Sequence, residues 1–564
     1  MKFFWSALFF IAITYFVTLN CRPLVTPDEF RYGEIAREMI ENDNFFSPRL
    51  FTLRYFEKPV LTHQMNMVSL KLFGETPFGV RFAGAFLTVL TGLMTAALVW
   101  RRRRDGKLAW MSFGFFASFI WVYILGTTSL TDAPLSFFTT AALYSGFLAA
   151  VEGRDFLIRC WWCLLCALAL TGAFYTKGAI GWALPGVALG GFLLWEKRFA
   201  AFWRLGVLIL PLLALFCLPP AWKIHQSDPD FWRYFIEVEH IQRFTQDTAG
   251  QHPQPWYFLI PFIFIGGLPG IIFLPCLLKN NKTAWKNILN WPIYKMAVCG
   301  VILPLVFLSF SSGKLPTYIL PCFAPLSIIM AGGLMTYLRE SPGRRMFDRT
   351  LKFWRIFLAV TGVAGIAAAA ALAFGAGSYL GKAGKFAGGR DFVVFVAVCG
   401  AVMLICGIIQ FTLKNHRKSD LMLGFFGSLA ILITTVNIFL PDSIAPAKFP
   451  ERHLRHLKSQ TAADDDGKAV IITNTSLMHA VAWCFQRADI NVYSGVGEMK
   501  YGENQAEIKG EKKLRKSAAE ISALLKTPGR PPVIVICRTD KSSPDIPASV
   551  KEEYISGNIV LRVY

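Results

Sequence analysis

Residues 26–59, TPDEFRYGEIAREMIENDNFFSPRLFTLRYFEKP, gather most of the groups able to do chemistry in a chain that is otherwise largely hydrocarbon. Thr26-Pro27-Asp28-Glu29 has the form of a helix start: Thr26 caps, Pro27 suits the first turn, and Glu29 closes a capping box. In a helix expected over about 27–42, Asp28 shares a face with Arg31 and Tyr32, three and four residues on. Phe56-Glu57-Lys58-Pro59 reads as a second start, with Pro59 opening a helix that runs to about Gly74. A lysine just ahead of a helix meets the positive end of the dipole. That placement makes sense when an anion binds between Lys58 and the free backbone N–H groups. Capping alone accounts for Thr26, Pro27 and Glu29, and the dipole also suits Asp28. It leaves the crowding of Arg31, Glu57 and Lys58 unexplained.

Three further stretches carry polar groups between apolar runs. Asp132 stands in GTTSLTDAP at the end of one run, where an acid is either a helix cap or a functional group. Lys177 breaks the next hairpin, and its long stem favours snorkelling to the headgroups over a phosphate contact. The loop 222–256 contains FWRYFIEVEHIQRF, in which Phe231, Tyr234, Phe235 and Val238 have helical spacing and Glu237, Glu239, His240 and Arg243 add polar groups. In SSGKLPTY, Pro316 and Pro321 permit a broken entry to the following helix. Lys314 and Tyr318 there can donate to a phosphate or sugar, or serve as interfacial anchors.

The elements that must position these residues are mostly membrane spans. The 564 residues are 54% hydrophobic and 15% aromatic, with mean hydropathy +0.43, which excludes an ordinary soluble enzyme. The net charge of +21 sits mainly in short loops, and no zinc-finger spacing or basic recognition helix supports nucleic acid as a partner. Length and apolarity give roughly thirteen spanning helices. They cover about 4–20, 80–100, 108–126, 133–151, 160–175, 178–195, 205–221, 257–277, 294–311, 317–337, 355–378, 391–413 and 420–440. The first lacks a small-x-small cleavage site and reads as an uncleaved span.

Alternate loops are basic: Arg101 to Arg104, Lys197-Arg198, Lys279 to Lys286, Arg339 to Arg355 and Lys414 to Lys418. The positive-inside rule puts them and the N-terminus in the cytoplasm, and loops 21–79 and 222–256, with the C-terminal tail, on the other side. The modestly basic loop 379–390 is the one exception. The short helix expected over 59–73 presents Leu61, Met65, Val68 and Leu72 on one face, suited to the membrane surface. Gly362, Gly365 and Ala369, and the cluster Ala331, Gly332 and Gly333, mark close helix packing.

Residues 1–444 therefore form a transmembrane catalytic domain with its outer loops, and 445–564 a small soluble α/β domain. Short buried strands are expected in ADDDGKAVIITN, INVYSG, PPVIVICRTD and NIVLRVY, with helices near 475–487 and 514–526. No dinucleotide fingerprint or Walker loop occurs, so no nucleotide cofactor is expected. Cys160, Cys163 and Cys166 read as buried helix residues, and Cys484 and Cys537 are able to pair in an oxidising compartment.

TPDEFRYGEIAREM, RYFEKP and KLPTYILP resemble the lipid A aminoarabinose transferases, in that order and at plausible spacing across the chain. These belong with the polyprenyl-phosphate-sugar-dependent membrane glycosyltransferases, related to the protein O-mannosyltransferases. The resemblance implies a GT-C-type polytopic α-helical membrane protein in the bacterial inner membrane, with a periplasmic C-terminal domain. It implies an inverting transfer of a sugar, 4-amino-4-deoxy-L-arabinose in the family, from an undecaprenyl-phosphate donor to lipid A, with Asp28, Lys58 and Asp132 catalytic. Arg31, Tyr32, Lys58, Lys314, Tyr318 and Arg243 would bind substrate, and Glu57 with His240 would hold a zinc-like divalent metal. Phe30 and Gly33 in the first motif, and THQMN soon after EKP, where the family often has a more aromatic stretch, are departures that bear on sugar choice.

The chemistry fits those groups. A polyprenyl-phosphate sugar is already activated, and cations stabilise the phosphate that leaves an oxocarbenium-like transition state. A hydroxyl acceptor needs a base, for which Asp28 is placed; an ionised lipid A phosphate does not, and Asp28 would then position the acceptor or bind a sugar ammonium. Two alternatives stand beside this reading. One is a sibling transferase acting on protein hydroxyls or another glycolipid. The other is a lipid-linked sugar flippase, disfavoured because no internal repeat appears and the acids cluster in the outer loops.

Overall fold

The computed structural model describes residues 13–153, 155–238, 254–311, 313–340, 345–375, 389–441, 444–445, 447–511, 513–539 and 549–564. The chain divides into two compact units. Met1–Cys21, Arg81–Lys223 and Ile236–Pro441 form the first, and Arg22–Val80, Ile224–Phe235 and Asp442–Tyr564 the second. Residues 22–80 and 224–235, read from sequence as loops of the membrane domain, thus cluster with the C-terminal segment.

Nine helices among the described residues are long and apolar enough to cross a membrane. They are Pro77–Arg103, Asp132–Glu152, Phe156–Lys177, Phe199–Ser227, Pro292–Ser309, Pro316–Glu340, Arg345–Ala373, Arg390–Asn415 and Lys418–Phe439. The expected spans at 108–126 and 257–277 are instead bent pairs: Gly106–Ser118 with Ile120–Gly126 at 66°, and Ile260–Gly266 with Gly270–Leu278 at 96°. Ile180–Trp195 is apolar but shorter. Of the expected first span, residues 1–12 lie outside the described residues, and its end is a 3-10 turn at Val17–Asn20.

A break in a span strands backbone groups, and here one bond joins the two breaks. The Ile120 N–H donates to the Leu268 carbonyl at 2.8 Å. Glycine permits the approach, since a Cβ on Gly270 would lie 2.8 Å from the Phe119 ring. The small-residue positions also behave as expected: a Cβ on Gly362 would meet the Leu404 amide at 2.5 Å, and one on Gly332 the Tyr294 ring at 2.2 Å.

The second unit is built on a five-stranded sheet in the order β4-β3-β5-β7-β6, from β3 (Val470–Thr473), β4 (Asn491–Val492), β5 (Val533–Arg538), β6 (Glu552–Ser556) and β7 (Ile559–Val563). β3 runs parallel to β4 and β5, while β5, β7 and β6 pair antiparallel. All six residues of β5 are buried, which is why its first five, Val533–Cys537, are continuously apolar. Helices cover Glu451–Gln460, Met478–Phe485, Lys500–Lys509 and Ala518–Lys526. Cys484 and Cys537 are both buried and free, so the expected pairing is not made.

The segment 22–80 buries an unusual number of charged and polar side chains among its apolar ones. Helix Asp28–Glu41 buries Glu29, Arg31, Glu34, Arg37 and Glu38. Helix Leu61–Phe73 buries Thr62, His63, Gln64, Asn66 and Ser69, while Val68 and Leu72 are exposed on its apolar face. Buried charges need partners, and Arg37 has Glu34 and Glu41. Glu38 accepts from the Phe51 and Thr52 amides at 2.6 and 3.0 Å. Those two residues have φ of 56° and 67° and close the hairpin between β1 (Arg49–Leu50) and β2 (Leu53–Arg54). The Glu38 side chain therefore stabilises a left-handed turn made without glycine. Burial pushes the Glu38 carboxyl up to about 8.

Two expected helix starts differ in detail. Thr26 makes no side-chain cap and the helix begins at Asp28; Glu29 instead reaches back four residues to accept from the Val25 amide at 2.8 Å. The second helix begins at Leu61 rather than Pro59, with Val60 at its cap.

Candidate functional site

Each unit contains one cluster of the expected functional residues. In the second unit, Asp28 opens its helix and Arg31 follows one turn later, so their side chains meet in an ion pair. The Arg31 guanidinium also pairs with Glu498, from the short turn Gly497–Met499 after β4. The sequence offered no sign of that partner, since a lone glutamate in a glycine-containing turn has no distinguishing pattern. Arg31 is only 8% exposed, whereas Asp28 and Glu498 are 44% and 47% exposed. Burial disfavours the Arg31 charge, but Tyr55, Tyr32, Asp28 and Glu57 outweigh it and hold the guanidinium firmly ionised.

The Arg31 end of the pair adjoins a buried aromatic cluster. The His63 ring sits 5.5 Å from Tyr32 and 5.8 Å from Tyr55, and the Arg31 guanidinium lies 5.1 Å from the Tyr32 ring. His63 is wholly buried, and neither ring nitrogen has a hydrogen-bond partner among the described residues. Burial, with the Arg31 and Lys58 charges, pushes its pKa down to about 3. The imidazole is therefore neutral. Lys58 donates to the Glu57 carbonyl at 3.0 Å. The loop carrying both is anchored at Phe56, whose ring lies 5.2 Å from Phe231 and 5.4 Å from Tyr501. Arg54, at the loop's start, donates to Asp228 at 2.7 Å. Helix Phe231–Ile236 is thus a support for this loop, with Phe231 and Phe235 buried.

In the first unit, Asp132 opens helix Asp132–Glu152 and Lys177 ends helix Phe156–Lys177. Successive antiparallel helices place one N-terminus beside the other's C-terminus, and each charge complements its dipole. Lys177 Nζ donates to Asp132 Oδ1 at 2.7 Å and lies 4.3 Å from the centre of the Tyr318 ring. Lys177 is thus an ion-pair partner rather than the snorkelling residue expected. At the far end of the Asp132–Glu152 helix, Glu152 binds Arg101 and Arg102. That helix has 21 residues, a length of about 30 Å, so the Asp132 cluster and these arginines lie at opposite ends of a membrane-length helix.

Tyr318 lies in the 3-10 helix Pro316–Cys322, whose first carbonyl, that of Pro316, accepts from Trp121 Nε1 at 2.9 Å. Lys314 is buried and donates to the Gln254 carbonyl at 2.8 Å, so its ammonium is held by backbone. Burial also lowers its pKa. His240 and Arg243 lie outside the described residues, and so does the expected Glu57–His240 metal pair. Among the described residues no group of three or more potential ligands surrounds a metal position.

Comparison with known proteins gives these clusters a family. The model for dolichyl-phosphate-mannose-protein mannosyltransferases matches residues 1–235, and that for the C-terminal domain of the arabinosyl transferase ArnT matches 443–562. A solved structure of ArnT from Cupriavidus metallidurans bound to undecaprenyl phosphate superposes with TM-score 0.80 at 22% identity, covering 99% of this chain and 97% of that one, which establishes the fold. The undecaprenyl phosphate-α-4-amino-4-deoxy-L-arabinose arabinosyl transferase of Shewanella sediminis is 34% identical over 88% of this chain and 86% of its own. The Aeromonas salmonicida protein of the same name is 32% identical over 99% and 98%. Similarity sustained over almost the whole of such relatives means that this chain belongs to the undecaprenyl phosphate-α-4-amino-4-deoxy-L-arabinose arabinosyl transferase family.

Proposed function

We propose that the chain is an inverting glycosyltransferase of the bacterial inner membrane that moves 4-amino-4-deoxy-L-arabinose from undecaprenyl phosphate to lipid A at the periplasmic face. The observation that carries this reading is full-length similarity to relatives named for that donor and sugar. The anion chemistry supports it. Arg31 and Lys58 come from neighbouring motifs of one compact unit, and cations are what a departing lipid phosphate requires. Lys58 neutralises the leaving phosphate, and Arg31, held by two carboxylates, orients it. A lipid A phosphate is ionised at neutral pH and surrenders no proton, so Asp28 and Asp132 serve as carboxylates for positioning and for the sugar ammonium rather than as bases. Tyr32, buried against His63 and the Arg31 guanidinium, holds that cation in place; Tyr318 and Arg243 bind substrate, and Lys314, held by the Gln254 carbonyl, supports the turn that carries Tyr318.

The same reading includes a divalent metal held by Glu57 and His240, a carboxylate and an imidazole being a suitable ligand pair for a zinc-like ion. Metal analysis of purified wild type, Glu57→Ala and His240→Ala tests it: equal metal content in all three rejects the site. The activity itself is tested with purified protein, the undecaprenyl-phosphate aminosugar and lipid A, read by mass spectrometry of the acceptor. Transfer by wild type and none by Lys58→Ala or Asp28→Ala is expected. Transfer to a protein hydroxyl in place of lipid A, or near-wild-type transfer by either variant, overturns the proposal.

A further inference from the structure

At the basic end of the membrane unit, remote from Asp132 along the spans, a cleft of about 570 Å³ is lined by Trp195, Leu278, Lys282, Trp285, Lys286 and Lys295, with Asn280, Leu289 and Asn290 completing it. Its floor is helix Lys282–Leu289, capped by Asn281, whose side chain accepts from the Ala284 amide at 2.7 Å. This helix is amphipathic: Ala284 and Ile288 are buried, and Lys282 and Lys286, four apart, lie exposed on one face. Lys295 is already neutralised by Glu196, and its ammonium lies 6.0 Å from the Trp195 ring. Lys282 and Lys286 make no ion pair with any described residue.

The lining combines two chemistries. Two exposed ammonium groups and the indoles of Trp195 and Trp285 mark the headgroup level, where interfacial tryptophans sit. Leu278 is 71% exposed and Trp195 44% exposed, and together they form an apolar lip on the lipid-facing side. A ligand that fits is itself amphipathic, with an anionic head and a hydrocarbon tail. A free anion would satisfy the lysines and leave the lip exposed. A zwitterionic lipid would bring its own ammonium against the lysines.

We propose that this cleft binds one anionic phospholipid of the adjacent leaflet, its phosphate between Lys282 and Lys286 and its acyl chains along Trp195 and Leu278. The site is separate from the transfer chemistry and makes no use of it. Juxtamembrane lysines contribute roughly fivefold each to anionic-lipid affinity, so losing both weakens binding by roughly twenty-five-fold.

The test is native mass spectrometry of the full chain in detergent, titrated separately with dioleoylphosphatidylglycerol and dioleoylphosphatidylethanolamine. Phosphatidylglycerol is expected to add as one saturable molecule at lower concentration than phosphatidylethanolamine. Lys282→Gln/Lys286→Gln should remove that preference, and Lys282→Arg/Lys286→Arg should retain it. Lys352→Gln/Lys414→Gln, which changes two exposed lysines outside the cleft, should leave it intact. Millimolar inorganic phosphate should fail to displace the lipid. Equal retention of the two lipids, equal loss in the Lys352/Lys414 variant, or displacement by inorganic phosphate overturns the proposal.

Discussion

Lys177→Met would remove the counter-ion of Asp132 while keeping most of the side-chain volume. The two side chains are only 12% and 8% exposed and are joined at 2.7 Å, so the variant leaves a carboxylate nearly out of water. Breaking a fully buried pair costs about 3–5 kcal/mol; the residual exposure here lowers that to about 2–3 kcal/mol. Loss of the cation over Tyr318 adds about 1 kcal/mol. Asp132→Leu/Lys177→Met removes both charges together and should return most of the stability, because an apolar pair of similar size is close to neutral. Thermal unfolding in detergent and sugar transfer, measured on wild type, both single variants and the double variant, complete the cycle. Stability should recover in the double variant. Transfer should stay depressed by about two orders of magnitude, because the substrate loses polar groups that its transition state uses. Wild-type transfer in the stable double variant would refute the reasoning, showing that the pair only holds two helices together.

Other perturbations address the second cluster. Glu498→Gln takes one of two carboxylates from Arg31 and should raise the donor KM about tenfold with kcat less affected, Glu498→Asp falling between; an unchanged KM removes Glu498 from the site. His63 is buried neutral, with its folded pKa depressed to about 3 from 6.5, so the unfolded chain binds more protons between those values. Stability is therefore complete above about pH 6.5 and falls as pH drops towards 3, by about 2 kcal/mol at pH 5. His63→Phe should flatten that slope in denaturant unfolding, and an unaltered slope would show that His63 is not responsible. Glu38→Ala strands the buried Phe51 amide and frees the part-buried Thr52 amide of the left-handed hairpin and should cost about 1–3 kcal/mol, readable as a lowered Tm, whereas a loss under 1 kcal/mol would mean that water replaces the carboxyl group.

Apolar length located nearly every span, because a segment that must bury its backbone in lipid carries that requirement in its own composition. The α/β character of the C-terminal segment was equally local, with β5 written as an apolar run. What composition could not convey was contact between distant positions. Phe119 and Leu268 look like ordinary members of continuous apolar stretches, and only the assembled bundle reveals paired breaks. Arg31 announced Asp28 because both lie on one helix turn, but Glu498 stands more than four hundred residues away. Lys177 illustrates the same limit: a single lysine at a helix end is compatible with snorkelling until Asp132 is found beside it. β6 escaped notice because its burial pattern lacks fully buried positions, leaving it without an apolar signature.

The shared amide-to-carbonyl bond between Ile120 and Leu268 bears on how such transferases can be recombined. A chimera that exchanges only one of the two interrupted segments for a continuous helix from elsewhere leaves the other's polar backbone facing hydrocarbon, at a cost of several kcal/mol. Crossover points for hybrid proteins therefore belong outside the pair, with residues 106–126 and 260–278 inherited together from one parent.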